Sequence, residues 1–180
     1  MRRVSPNFDR ALSKYFGTQT PDPVAAQGSH DAYVMALRAH GTDVEILGAL
    51  DSHPDCCFVE DCAVMIDGVA LISNLGAPSR RGEEVAVAKY LSEGSDILRM
   101  PQDATLDGGD VVFFDDRYLI GLSTRTNQAG AAFLTEQVKE EGFDVELIDI
   151  PSSTLHLTTV CSSPREGTLV AAEGHLTQDQ

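Results

Sequence analysis

Positive charge is scarce in this chain. Lys and Arg total 13 against 28 Asp and Glu, a net charge of −15, and lysine occurs only at Lys14, Lys89 and Lys139. A face able to neutralise a phosphate backbone needs clustered basic residues, so the composition argues against nucleic acid as a partner. The same imbalance would draw a cationic small molecule by long-range attraction, although acidity also serves solubility alone. Long apolar runs are missing as well. None approaches the ~20 residues of a membrane span, so no membrane partner is expected. The opening MRRVSPNF has two arginines but no apolar stretch behind them, and no signal peptide is expected. Cysteine is sparse: Cys56, Cys57, Cys62 and Cys161 form no C-x-x-C pair and no Cys/His spacing of a zinc site. In an extended segment Cys56 and Cys57 would face opposite sides. The four read as reduced and mostly buried, as in a cytoplasmic protein, with no metal role.

What is present is ordinary globular material. The 180 residues, 42% hydrophobic with 15 Gly and 8 Pro, suffice for one domain with a real core, and residues 1–180 read as a single domain without a linker. The segment Pro54–Val64, PDCCFVEDCAV, stands out. It sets Asp55, Glu60 and Asp61 among Cys56, Cys57, Phe58, Val59, Ala63 and Val64, which favour burial. Carboxylates in such a setting must be paired, hydrogen-bonded or awaiting a cation. Arg80, Arg81 and Arg125 are the internal candidates, and a cationic ligand is the alternative. Acids that merely cap or cross-link strands are the competing structural reading.

The chain also repeats itself. AHGTDVEIL, SEGSDILRM and EEGFDVELI each read as helix end, glycine, then alternating strand, with Gly41, Gly94 and Gly142 about 50 residues apart. Each glycine is placed where a helix end favours a left-handed residue. The spaced apolar residues before them predict helices over 23–39, 82–93 and 128–141. A second element recurs in step. CAVMIDGVALIS, VVFFDDRYLIGLS and LTTVCSSPREGTLVAA read as hairpins, turning at Asp67-Gly68, at Asp115-Asp116 and around Pro164–Gly167. Leu71, Leu119 and Leu169 are expected at equivalent positions. The unit is therefore hairpin, loop, helix, glycine, strand. A closed repeat cannot stop in mid-unit without exposing sheet and core, so a fragment is expected, open at its C-terminal side.

Chemistry-bearing residues gather where strands meet loops. PDCCFVED carries acids, ATLDGGDVV carries Asp107 and Asp110 around two glycines, GAPSRRG and GLSTRTN carry arginines, and SSTLHLTT carries His156 in the strand entering the third hairpin. Two glycines inside a strand pattern mark a bulge or a close backbone approach. A histidine near an acid is the pair that proton transfer uses, and Asp107 could fix the His156 tautomer. Taken singly, each has a plainer reading: a core histidine, a turn, surface salt bridges. Together, at matching places of a repeat, they point to one shared site, with Glu60, Asp61, Asp107 and His156 around a cavity and Arg80 and Arg125 at its rim.

In that order, FVED, GAPSRRG, TLDGGDV, LSTRTN and LHL resemble the dimethylarginine dimethylaminohydrolase family of the guanidino-modifying superfamily, from about Val4 to Ala172. The resemblance implies an α/β pentein-type propeller of hairpin–helix–strand units, incomplete at about three of five blades. It implies a hydrolase that converts Nω-methylated arginine to citrulline plus methylamine or dimethylamine through a covalent thiouronium on cysteine. It implies His156 as acid/base with Asp107 orienting it, Glu60 and Asp61 on the guanidinium with Asp55 alongside, Phe58 packed near, Arg80 and Arg125 on the substrate carboxylate, and Leu12 in a flexible lid. No cofactor or metal is implied, and a homo-oligomer stays open.

The departures matter. The family's nucleophilic cysteine lies in the last blade, near the C-terminus, and none of Cys56, Cys57, Cys62 or Cys161 fits that role. Ser73-Asn74-Leu75 stands where relatives often have Thr-Arg-Pro. An arginine deiminase or amidinotransferase relative, or a non-catalytic guanidino-binding or interaction protein, are the alternatives.

Overall fold

The computed structural model describes residues 1–176 other than Phe16 and Thr18. Where the sequence suggests a single domain, backbone contacts divide the chain into two compact units, Met1–Val59 and Glu60–Gln180. The division falls inside the acidic segment, leaving Asp55 and Phe58 in the first unit and Glu60 and Asp61 in the second.

The first unit is built on α1 (Pro23–Ala39). Asp22 caps it by accepting from the Val24 N–H, and proline occupies the first helical position, where no donor is lost. Gly41, at φ 87°, carries the chain out of the helix in the left-handed conformation. The strand expected over Val44–Ile46 does not form. Its place is taken by one parallel bridge, Arg2 to Leu47. The Leu47 N–H donates to Met1 O at 2.9 Å and the Arg3 N–H to Leu47 O at 3.1 Å.

The second unit repeats as expected. Strands β1 (Ala63–Ile66) and β2 (Val69–Ile72) form a hairpin, and β3 (Asp96–Arg99) adds parallel to β2 after crossing through α2 (Glu83–Leu91). Strands β4 (Val111–Phe114), β5 (Arg117–Leu122) and β6 (Asp144–Asp149) repeat this order, with α3 (Gln128–Glu140) as the crossover. A third hairpin, β7 (Cys161–Arg165) with β8 (Thr168–Ala171), follows. The first hairpin turns through Asp67 and Gly68 at φ 41° and 87°, two left-handed residues that match the twist of paired strands. Among the described residues no helix is long and apolar enough to cross a membrane.

Three details differ from the sequence reading. Gly94 is not left-handed. Helix α2 ends instead with Ser92 at φ −66°, and the Ser92 hydroxyl donates to Lys89 O at 2.8 Å, satisfying a terminal carbonyl without a glycine cap. Each hairpin is entered from a single helical turn rather than from a longer strand: Val59–Cys62, Gly108–Asp110, and α4 (Leu157–Val160). His156 therefore caps α4 and is not a strand residue. Finally, the register moves the third leucine by one place. Leu71 faces Val64 and Leu119 faces Val112, one pair in from the start of each hairpin, but the corresponding partner of Ser162 is Val170. Leu169 is one residue out of step.

The core follows the repeat. Helix α3 contributes Ala131, Leu134 and Val138, spaced along one face, to one buried cluster with Val64, Ile66 and Leu71 of the first sheet and Tyr118 and Ile120 of the second. Ala88 of α2 covers Ala70 and Ile72, while Leu119 turns to Ile148, Ile150, Leu157 and Cys161. Burial separates these positions from the third hairpin: Leu71 and Leu119 are 0% and 3% exposed, Leu169 is 39%. We expect Leu71→Ala and Leu119→Ala each to cost about 2–5 kcal/mol in urea unfolding, because a cavity opens in close-packed surroundings. Leu169→Ala is expected to stay within about 0.5 kcal/mol. Equal losses at all three positions would contradict the register.

Candidate active site

The one-turn segments that feed the hairpins meet one another. In the first, Val59–Cys62, Asp61 points inward and is 4% exposed, whereas Glu60 beside it is solvent-exposed. In the second, the Gly109 N–H donates to Asp61 Oδ1 at 2.9 Å. The third turn bonds back to the second: Thr158 Oγ1 donates to Gly109 O at 2.7 Å and the Leu157 N–H to Asp110 Oδ1 at 3.1 Å. Gly109 is thus the centre of the stitching, and only glycine fits there. A Cβ would lie 2.8 Å from Asp61 Oδ1 and 2.9 Å from the His156 ring. The close backbone approach expected of the two glycines is real, but it occurs in a helical turn and not in a bulged strand.

Around this centre sit four buried acids. Asp61 Oδ2 accepts from Arg80 Nη1, and Arg80 Nε and Nη2 also donate to Glu83 Oε2 at 3.1 and 2.8 Å. Arg80 lies in the turn Pro78–Arg80 and Glu83 opens α2, so the pair comes from one i, i+3 spacing. Burial works against the Arg80 charge, but Glu83 and Asp61 outweigh it and raise its pKa. Arg80 was expected at a rim. It is instead 3% exposed, bridging two carboxylates that would be costly to bury without it. Asp107 Oδ1 accepts from the Gly76 N–H at 2.8 Å, and its Oδ2 lies 3.4 Å from Arg125 Nη1. Arg125 is half-buried and faces this acid. Burial and the nearby Asp61 charge raise the Asp107 carboxyl above its usual range, against the lowering effect of Gly76, His156 and Arg80. Asp110 Oδ2 accepts from the Ser123 and Thr126 hydroxyls, both at 2.6 Å.

His156 completes the group. Its Nε2 lies 3.8 Å from Asp61 Oδ1 and 3.9 Å from Asp107 Oδ2, and its Nδ1 lies 3.4 Å from Asp110 Oδ1. That last approach is an ion pair without the geometry of a full hydrogen bond, since no such bond reaches Nδ1 among the described residues. Burial alone would lower the His156 pKa; Asp110, Asp61 and Asp107 reverse this and raise it. Glu60, on the outer side of the first turn, has its carboxyl raised by desolvation around it and then by Asp61, although its exposure lets water screen the effect. Donor atoms of Asp61, Asp107 and His156 fall within 4.8 Å of one another, a set that a small cation could use. Arg80 and Arg125 already hold the two carboxylates, so the arrangement suits a spread, hydrogen-bonding cation better than a compact ion.

Asp61, Asp107, His156, Arg80 and Arg125 are therefore brought together, with Glu60 adjoining on the open side. Leu12, Asp55 and Phe58 belong to the first unit. There Asp55, buried, accepts from the Leu12 N–H at 3.0 Å, and Phe58 lies 6.2 Å from Phe8 between ring centres. Sequence reasoning assigned no role to Asp110, Glu83, Ser123 or Thr126. Asp110 carries a readable signal: three residues make one turn of a 3₁₀ helix, so Asp107 and Asp110 project from the same side of Gly108–Asp110.

No cysteine of the second unit is an evident nucleophile. Cys62 is 1% exposed, and burial, with Glu83 and Asp61 adding, drives its thiol strongly upward. Cys161 is buried among Leu119, Ile148 and Leu157, and burial raises it as well. In the first unit the Cys56 thiol donates to Arg3 O and Leu50 O at 3.8 and 3.7 Å.

A raised His156 pKa has a consequence for stability. The charged ring is stabilised in the folded state, so its contribution is complete below the ordinary value of 6.5 and is lost as pH rises through the raised folded value. We expect the stability advantage of the wild type over His156→Gln, measured by urea unfolding, to be larger at pH 5 than at pH 9. An advantage that grows with pH would contradict the acidic cage around the ring.

A family model described as N,N dimethylarginine dimethylhydrolase, eukaryotic, matches residues 20–180. A Streptomyces coelicolor N(G),N(G)-dimethylarginine dimethylaminohydrolase is 34% identical over 177 residues, spanning 98% of this chain and 67% of the relative. One from Pseudomonas aeruginosa is 30% identical, spanning 91% of this chain and 64% of the relative. The solved structure of a Pseudomonas aeruginosa enzyme of this name, a cysteine-to-serine mutant complexed with citrulline, superposes with a TM-score of 0.89 at 27% identity, covering 94% of this chain and 67% of that one. An arginine dihydrolase domain, at 16% identity and a TM-score of 0.80, shares the fold alone. The chain spans about two thirds of the length of the two curated relatives named. Its α/β architecture is the pentein type, and the chain belongs to the dimethylarginine dimethylaminohydrolase family.

Proposed function

We propose that this chain carries the guanidinium-binding and acid/base part of an active site that hydrolyses Nω-methylated arginine to citrulline and an alkylamine. The observation that carries the reading is the meeting of Asp61, Asp107 and His156 within 4.8 Å, next to a free-facing Glu60. A methylated guanidinium is planar, cationic and rich in N–H donors. Carboxylates fixed by backbone N–H groups and by arginines can accept those donors without rearranging. In this reading Asp61 and Glu60 receive the guanidinium. Arg80 holds Asp61 in place rather than binding substrate. Arg125, joined to Asp107 by a long 3.4 Å contact, is the arginine able to turn to the amino-acid carboxylate. His156, kept readily protonated by its acids, donates to the departing amine and then accepts a proton from water. Leu12, Asp55 and Phe58 keep their proposed substrate contacts, a flexible lid for Leu12 among them.

The covalent step needs a thiolate at the guanidinium carbon. In this reading Cys62 and Cys161, both buried, do not supply it. A reducing, cytoplasmic setting suits four free cysteines.

The test is citrulline release from asymmetric dimethylarginine. The 180-residue chain alone is expected to release none above background. A chimera continuing into the C-terminal third of the Streptomyces coelicolor relative is expected to release it, and His156→Ala in that chimera to reduce the rate by about 10²–10⁴-fold. Robust release by the chain alone that survives Cys161→Ser would overturn the reading, as would a folded chimera without activity.

A further inference from the structure

We infer that Asp110 is the positioning residue of His156: it holds Nδ1 as the protonated nitrogen and turns Nε2 toward Asp61 and Asp107, where the reacting group would sit. The inference rests on the acid/base reading of His156 for its functional meaning, but its geometry stands apart from it.

Three observations lead there. First, proximity favours Asp110 over Asp107. Asp110 Oδ1 is 3.4 Å from Nδ1, while Asp107 Oδ2 is 3.9 Å from the other ring nitrogen, Nε2. An imidazole fixed for proton transfer needs one nitrogen anchored and the other left to the substrate, and only Asp110 is on the anchoring side. Second, Asp110 is itself immobile. It is 0% exposed, its Oδ2 takes the hydroxyls of Ser123 and Thr126, and its Oδ1 takes the Leu157 N–H one residue beyond His156. The acid therefore grips the backbone next to the histidine as well as facing its ring. A carboxylate with every other acceptor position bonded is a rigid reference point for the ring. Third, Asp107 is committed elsewhere. Its oxygens face the Gly76 N–H and Arg125, so part of its charge is already answered by a cation, whereas the other partners of Asp110 are neutral donors. Thr126 connects the two: its Oγ1 donates to Asp110 and accepts from the Asp107 N–H at 3.3 Å, which ties both acids of DGGD to one loop.

The charged groups that face the ring are Asp61 and Glu60 from the first turn, with Arg80 behind Asp61, and Asp107 and Asp110 from the second, with Arg125 behind Asp107. All the acids favour a protonated ring. They differ in which nitrogen they favour in the neutral ring, and only Asp110 favours Nδ1–H.

The test is ¹⁵N NMR of ring-labelled histidine in the 180-residue chain, with the His156 signals assigned by their loss in His156→Gln. The neutral wild-type ring is expected to carry its proton on Nδ1. Asp110→Asn, which keeps shape and can keep the neighbouring hydrogen bonds, is expected to lower the His156 titration midpoint further than Asp107→Asn does. Asp107→Asn is expected to leave the proton on Nδ1. A wild-type ring protonated on Nε2, or a larger fall with Asp107→Asn, would overturn the inference. The wild-type measurement decides alone if Asp110→Asn does not fold. None of these readouts needs turnover, so an inactive chimera would reject the proposed reaction while leaving the role of Asp110 intact.

Discussion

Burying carboxylate is expensive, and this unit buries four: Asp61, Glu83, Asp107 and Asp110 are each no more than 4% exposed. An isolated ion in such a place would shift its pKa or expel itself into water. Each of these acids is instead answered by fixed donors. Arg80 spans Asp61 and Glu83, Gly76 and Arg125 answer Asp107, and two hydroxyls with one backbone N–H answer Asp110. Two guanidiniums against four acids leave the cluster negative, which raises the His156 pKa and would draw in a further cation. Stability and function thus rest on the same unequal balance. One more fixed cation would relieve the burial cost and remove the surplus negative charge on which the proposed guanidinium binding rests.

The repeat supplies the frame for that balance. The residues two places before each hairpin are Asp61, Gly109 and Thr159, at equivalent points of three successive one-turn segments. One of the three is an acid, and one has no side chain, which lets the acid and the His156 ring close on the same backbone. The symmetry of the fold places the turns side by side, and the differences among them make the site. Outside the turns the repeat degrades in a graded way. Middle strands β2 and β5 are covered on both faces, while β8 is largely exposed and the first unit replaces a strand by a single bridge.

Much of this was legible in the sequence. The hairpins announced themselves through Asp67-Gly68 and Asp115-Asp116, and the helices through apolar spacing, so that α1 and α3 start where expected. What escaped were features set by individual contacts rather than by residue pattern, some local and some between turns. Gly94 resembles a helix-ending glycine, but whether it must be left-handed depends on the Ser92 hydroxyl reaching Lys89 O. Leu169 was misplaced because the register shift between Ser162 and Arg165 is invisible in an alternating pattern. Arg80 was expected at a rim because a sequence shows a charge and not the two acids folded around it. Asp110 was visible beside Asp107, yet its hold on Nδ1 depends on α4 turning His156 back over the second turn.

The central claim is that the buried acids and His156 recognise a methylated guanidinium as such. Titrating asymmetric dimethylarginine into the 180-residue chain while following the His156 ring signals by NMR tests this without requiring catalysis. The account predicts a saturable shift, absent in Asp61→Asn, and much weaker for tetramethylammonium, which carries the charge but no N–H donors. No shift with dimethylarginine, or equal response to both cations, would contradict it.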